Sequence, residues 1–112
     1  MNANANEETA MYCVSIAYPN KESARFDFDY FAQKHIPLVT GHLAANAVKS
    51  EVRKGLSSPD GSPAAFTCMA NIWIRSLEEF RGVMAEHGRE IMADVPNYTD
   101  IEPILQIDEV LD

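Results

Sequence analysis

Phe26-Asp27-Phe28-Asp29-Tyr30-Phe31-Ala32-Gln33-Lys34-His35-Ile36-Pro37-Leu38-Val39 is the stretch from which the fold can be worked out. Counted in threes and fours, Phe28, Phe31, Ala32, His35, Ile36 and Val39 share one face, while Asp29, Gln33 and Lys34 share the other, so the run predicts an amphipathic helix. Asp27 is a good N-cap, and Phe26 before it can meet Phe31 in a hydrophobic staple. Pro37 removes a backbone donor and restricts Ile36. It either kinks this helix or opens a second short piece from Pro37 to about Ala45. His35 thus sits where a core residue would point, and histidine is the side chain best suited to moving protons.

Working outward, Met11 to Tyr18 reads as a strand rich in aromatic and β-branched residues, stopped by Pro19-Asn20. Ala47 to Lys54 reads as a second strand with a wet face. Gly55 to Pro63, with its glycines, prolines and serines, is a loop. Ala65 to Ile74 is the strongest strand and belongs at the centre of a sheet. Ser76-Leu77-Glu78-Glu79 is a capping box. It opens a helix carrying Leu77, Phe80, Met84, Gly88, Ile91 and Val95 at helical spacing, which Val95-Pro96-Asn97 ends. Ile101 to Leu111 is a last strand. The order β-α-β-β-α-β predicts an α+β, ferredoxin-like fold: a four-stranded antiparallel sheet with both helices on one face. Its uncovered face and edges call for a partner, and a homodimer through the sheet face is the expected remedy.

The chain has 112 residues, enough for one domain, expected over residues 11–112 after a disordered polar leader at 1–10. Residues 1–56 carry six basic and six acidic side chains, whereas residues 57–112 carry three and eleven, so the whole net charge of -8 lies in the second half. Such a chain repels phosphate backbones and anionic lipid, which argues against nucleic-acid and membrane partners and favours a small hydrophobic ligand. No apolar run approaches the roughly 20 residues of a membrane helix, and no secretory signal is visible, so a cytoplasmic location is expected. Cys13 and Cys68 lie in strand-like apolar runs and read as reduced, buried thiols.

The pattern Phe26-Asp27-x-x-Tyr30-Phe31-x-x-x-His35-x-Pro37-Leu38-Val39 resembles the signature of EthD-type proteins, named for ethyl tert-butyl ether degradation. Asp94-Val95-Pro96-Asn97-Tyr98-Thr99-Asp100-Ile101-Glu102-Pro103 resembles that family's C-terminal motif. The resemblance spans about residues 11 to 111 and implies a dimeric α/β barrel, in which two subunits pack sheet on sheet and each keeps a pocket between sheet and helices. That superfamily includes muconolactone isomerases, quinol-type monooxygenases and haem-degrading enzymes.

The catalytic candidates are His35, Tyr98 and Asp100. The two helix-to-strand exits of this topology can approach one end of the sheet and bring them together. Each also has a plainer reading. His35 can satisfy its own helix end, and Tyr98 and Asp100 can belong to a turn built on Asn97. Asp94 is a negative charge near a helix C-terminus, a poor place for one, which suggests a partner such as His35 or an arginine. Tyr30, Phe31, Phe66 and Met84 are the candidates to line a pocket. His42 and His87 read as solvated, and no cluster of converging metal ligands is visible, so neither metal nor cofactor is expected. No nucleophile elbow and no glycine-rich phosphate loop occurs.

Two functions compete on these residues. One is a cofactor-independent enzyme, an oxidoreductase, lyase or isomerase, acting on a small hydrophobic or aromatic metabolite by histidine-assisted proton transfer or oxygenation. The other is a non-catalytic dimeric carrier or accessory module of an oxidative degradation or biosynthetic pathway. A plainer third possibility is a closed core in which Phe31, Met69, Met84 and Met92 only fill space.

Overall fold

The structure, a computed structural model, describes residues 10–111. The polar leader expected at residues 1–10 therefore lies, apart from residue 10, outside the described residues.

Four strands form one antiparallel sheet: β1 (Tyr12–Pro19), β2 (Ala47–Lys54), β3 (Phe66–Ile74) and β4 (Ile104–Glu109), in the order β2-β3-β1-β4. β3 is central, as its apolar run predicts. It pairs with β1 from Tyr12↔Ile74 to Pro19↔Phe66, and β4 adds to the far side of β1 from Tyr12↔Glu109 to Ala17↔Ile104. Between β1 and β2 run α1 (Phe28–Tyr30), a π-helical turn (Phe31–His35) and α2 (Ile36–Leu43). Between β3 and β4 runs α3 (Leu77–Asp94), followed by a 3-10 turn (Val95–Asn97).

The caps behave as their residue types require. The Asp27 side chain accepts from the Tyr30 N–H at 3.0 Å, and Ser76 Oγ accepts from the Glu79 N–H at 3.0 Å. Phe26 and Phe31 meet edge to face, with ring centroids 5.3 Å apart. Buried Asn46 ties the end of the first helical segment to the start of α3. Its Oδ1 accepts from the Ser76 and Arg75 N–H groups, and its Nδ2 donates to the Ser76 carbonyl.

The first helix is neither simply kinked nor cleanly divided. Pro37 can donate nothing to the ladder, and the Ile36 N–H reaches back five residues to the Phe31 carbonyl. The wider turn rotates the stripe: Phe31, His35, Ile36 and Val39 are buried, but Ala32, which regular spacing places with them, is exposed.

Alternation along the strands sorts the two faces of the sheet. Val14, Tyr18, Cys68, Ala70, Ile72 and Ile74 point into the helices and are buried. The opposite face carries Ser15, Ala17, Met69, Asn71 and Trp73, and no element of the described chain packs over it. Cys13 and Cys68 are buried and free. Among the described residues no helix is long and apolar enough to cross a membrane.

Candidate active site

The π-helical turn and the end of α3 come together at one corner of the core. His35 is 4% exposed. Its Nδ1 lies 2.9 Å from Asp94 Oδ2. A carboxylate oxygen only accepts, so Nδ1 carries the proton of that bond. Asp94 Oδ1 takes two further donors, the Tyr30 hydroxyl at 2.6 Å and Asn97 Nδ2 at 2.9 Å. These bonds explain the acid at a helix C-terminus. Desolvation pulls the Asp94 carboxyl up, but the hydrogen bonds from Tyr30, Asn97 and His35 together outweigh it and leave it below the usual carboxylate range. The same bond to Asp94 is the main cause that raises the Tyr30 phenol.

His35 is walled by aromatic rings. Phe31 stacks on it with centroids 5.6 Å apart, and Tyr98 lies 4.6 Å away. Tyr98 is fully buried, and its hydroxyl is 2.7 Å from that of Tyr18. Burial pushes the Tyr18 phenol up to about 12, and it pushes Tyr98 far above the ordinary phenol range, so both stay protonated at neutral pH. When Tyr98 donates to Tyr18, the Tyr18 O–H is left free to donate to something else.

A cavity of about 40 Å³ opens beside this pair, between the sheet and the helices. His35 and Tyr18 line it, with an otherwise apolar wall that includes Val14, Val39, Ile72 and Met84. Its rim includes Met92 and Leu105, each 51% exposed, where α3 passes β4. Every fully buried side-chain nitrogen or oxygen among the described residues has a partner, and His35 Nε2 makes no bond to any of them. Nε2 is therefore the ring nitrogen left without a protein partner, in a side chain that lines the cavity.

Of the residues singled out by sequence, His35 and Met84 line the cavity. Tyr98 stands directly behind it. Tyr30 holds Asp94 rather than facing the cavity, and Phe31 is packed behind the imidazole. Two candidates lie elsewhere. Asp100 is exposed and accepts the Arg25 N–H at 3.0 Å, which fixes one loop to another. The same contact region includes Arg25 Nη2 donating to the Pro96 carbonyl and Thr99 Oγ1 donating to the Arg25 carbonyl. Phe66, at the start of β3, lines a surface groove with Phe28, Lys54 and Leu56. Tyr18 is not among the catalytic candidates read from the sequence. Its signal was present, an aromatic hydroxyl at the last position of an apolar strand, but its partner Tyr98 is 80 residues away.

Another convergence was not visible in the sequence. His42 and His87, read as solvated, stack with ring centroids 3.8 Å apart, because α2 lies against α3.

The fold and site define a class: ferredoxin-like α+β proteins with a carboxylate-held histidine at an apolar cavity. Within it the chain belongs to the EthD family, whose EthD domain matches residues 19–102. It is similar to an EthD-like protein from Ralstonia eutropha JMP134, 42% identical, with 92% of this chain and 94% of that one covered and a TM-score of 0.87. An ethyl tert-butyl ether degradation family protein from Bacillus halodurans C-125 is 20% identical, with coverage of 90% and 99% and a TM-score of 0.61. The fold alone is shared with a hydroxynitrile lyase from Passiflora edulis, at 10% identity, 92% and 94% coverage and a TM-score of 0.55. No curated protein matches the sequence.

Proposed function

We propose that this EthD-family chain is a cofactor-independent enzyme that moves a proton on a small hydrophobic or aromatic substrate, with His35 as the acid–base group. The observation that supports this most is the pairing of His35 Nδ1 with Asp94 while His35 lines an apolar cavity. Asp94 fixes the tautomer whose Nε2 lone pair is basic, and it stabilises the imidazolium that forms when a substrate proton arrives. In this reading the Tyr18 hydroxyl, backed by Tyr98, donates to an oxygen on which negative charge develops. Returning the proton to another atom gives isomerisation or elimination. An electron-rich ring deprotonated in the same way can be attacked by dioxygen as co-reactant. The cavity wall is almost wholly apolar, which supports a compact, weakly polar substrate. Such a substrate enters past Met92 and Leu105.

The active unit in this reading is a homodimer that covers the open sheet face. Ala17, Met69 and Ile104 lie in register there, and Trp73 stands on the same face.

The test is a screen of phenols, naphthols and hydroxyquinones with no added cofactor, followed by product mass spectrometry and oxygen uptake. Turnover of at least one compound is expected, falling by about 10²-fold or more in His35→Ala, the usual worth of a general base. Turnover unchanged in His35→Ala overturns the assignment. Binding of these compounds by wild type without turnover of any would favour the carrier.

A further inference from the structure

We propose that His42, His87 and Glu90 form a binding site for a divalent transition-metal ion of the zinc type, which clips α2 to α3. His42 lies in the last turn of α2, while His87 and Glu90 stand one turn apart on α3, at i and i+3. Glu90 Oε1 is 3.0 Å from His42 Nε2 and 3.8 Å from His87 Nδ1. One ligand atom from each of the three residues falls within 4.8 Å of the others. Zinc holds nitrogen and carboxylate oxygen at about 2.0–2.2 Å, so its tetrahedral ligands stand roughly 3.3–3.6 Å apart. The observed separations bracket that span.

The donor set selects the metal. Two imidazoles and one carboxylate suit zinc, nickel or copper, whereas magnesium and calcium prefer all-oxygen shells. Three protein ligands leave a fourth position to water. Glu86 Oε2, 3.8 Å from His87 Nε2, is placed to accept that ring's outer N–H once Nδ1 is bound to metal. The rings are 13° from parallel, so they must splay to aim both lone pairs at one point. Both side chains are partly exposed, 24% for His42 and 31% for His87, so this rotation displaces no packed core.

The chain's inventory makes the site testable. It has three histidines and two cysteines, and both cysteines are buried. A zinc-type ion with imidazole ligands must therefore go either to the His42–His87 pair or to His35.

The experiment is isothermal titration of EDTA-treated full-length protein with zinc chloride, repeated with magnesium chloride. Wild type is expected to bind one zinc per chain and to ignore magnesium. His42→Ala and His87→Ala should each weaken zinc binding at least tenfold, while His35→Ala should bind as wild type does. Cobalt(II) should give the intense visible bands of a four-coordinate site, and these should vanish in either His42 or His87 variant. Failure of wild type to bind zinc at millimolar concentration overturns the proposal. So does binding that survives either single substitution, or binding that is lost in His35→Ala. Neither His42 nor His87 lines the cavity, so the outcome of these variants is separate from the assignment of His35.

Discussion

At the scale of single residues, Asp94 carries the corner on which the candidate site rests. It accepts from Tyr30, Asn97 and His35 and so orients an imidazole that is almost wholly buried. Its carboxyl is held below the ordinary range, about 3.9 in an unfolded chain. A depressed folded value stabilises the protein fully above the unfolded value, and that stabilisation is lost as pH falls through the folded one. The advantage of wild type over Asp94→Asn, measured as Tm, should therefore shrink as pH falls below about 4. A constant difference down to pH 2.5 would show that the acid's charge contributes nothing there. This residue was partly legible in the sequence, because a negative charge at a helix C-terminus asks for a partner. Asp100 looked equally plausible in the same motif. Only the loop pairing that sends its carboxylate to the Arg25 N–H separates the two.

At the scale of elements, the β-α-β-β-α-β order was readable because strands and helices alternate with distinct periods and each is bounded by its own cap or breaker. The π-helical turn was not. It depends on the missing N–H of Pro37 and on the packing of Phe31 and His35 together, and a regular count of threes and fours wrongly buries Ala32. The loop after β2 shows a different backbone demand. A side chain at Gly55 would run into the Phe66 carbonyl oxygen and the Ala64 side chain, although its N–H is held by the Thr67 carbonyl at 2.9 Å. Gly55→Ala must push β3 aside and should cost about 1–3 kcal/mol, read as a lower urea midpoint with an unchanged slope. A midpoint equal to wild type would mean that this end of the sheet yields freely.

At the scale of the whole molecule, the helices cover one face of the sheet and leave β4 poorly shielded: Leu105 is 51% exposed and Ile107 39%. The open face is mixed rather than apolar. Ser15 Oγ donates to Asn71 Oδ1 at 3.0 Å, and Asn71 Nδ2 reaches Glu51 at 3.3 Å, so polar pairs sit beside Trp73 and Met69. A second copy covering this face should give a mass of about 25 kDa by light scattering, twice the 12.5 kDa chain. Ala17→Arg should return the monomer, and a monomeric wild type would remove the dimer from the account. The measurement that tests the central claim most directly is the tautomer of neutral His35, read from nitrogen-15 chemical shifts of histidine-labelled protein. The account predicts a protonated Nδ1 and a bare Nε2, with Nε2 shifting when phenol is added and the tautomer reversing in Asp94→Asn. A neutral ring protonated at Nε2 in wild type would contradict it, because the ring nitrogen left without a protein partner would then have no lone pair with which to take a proton.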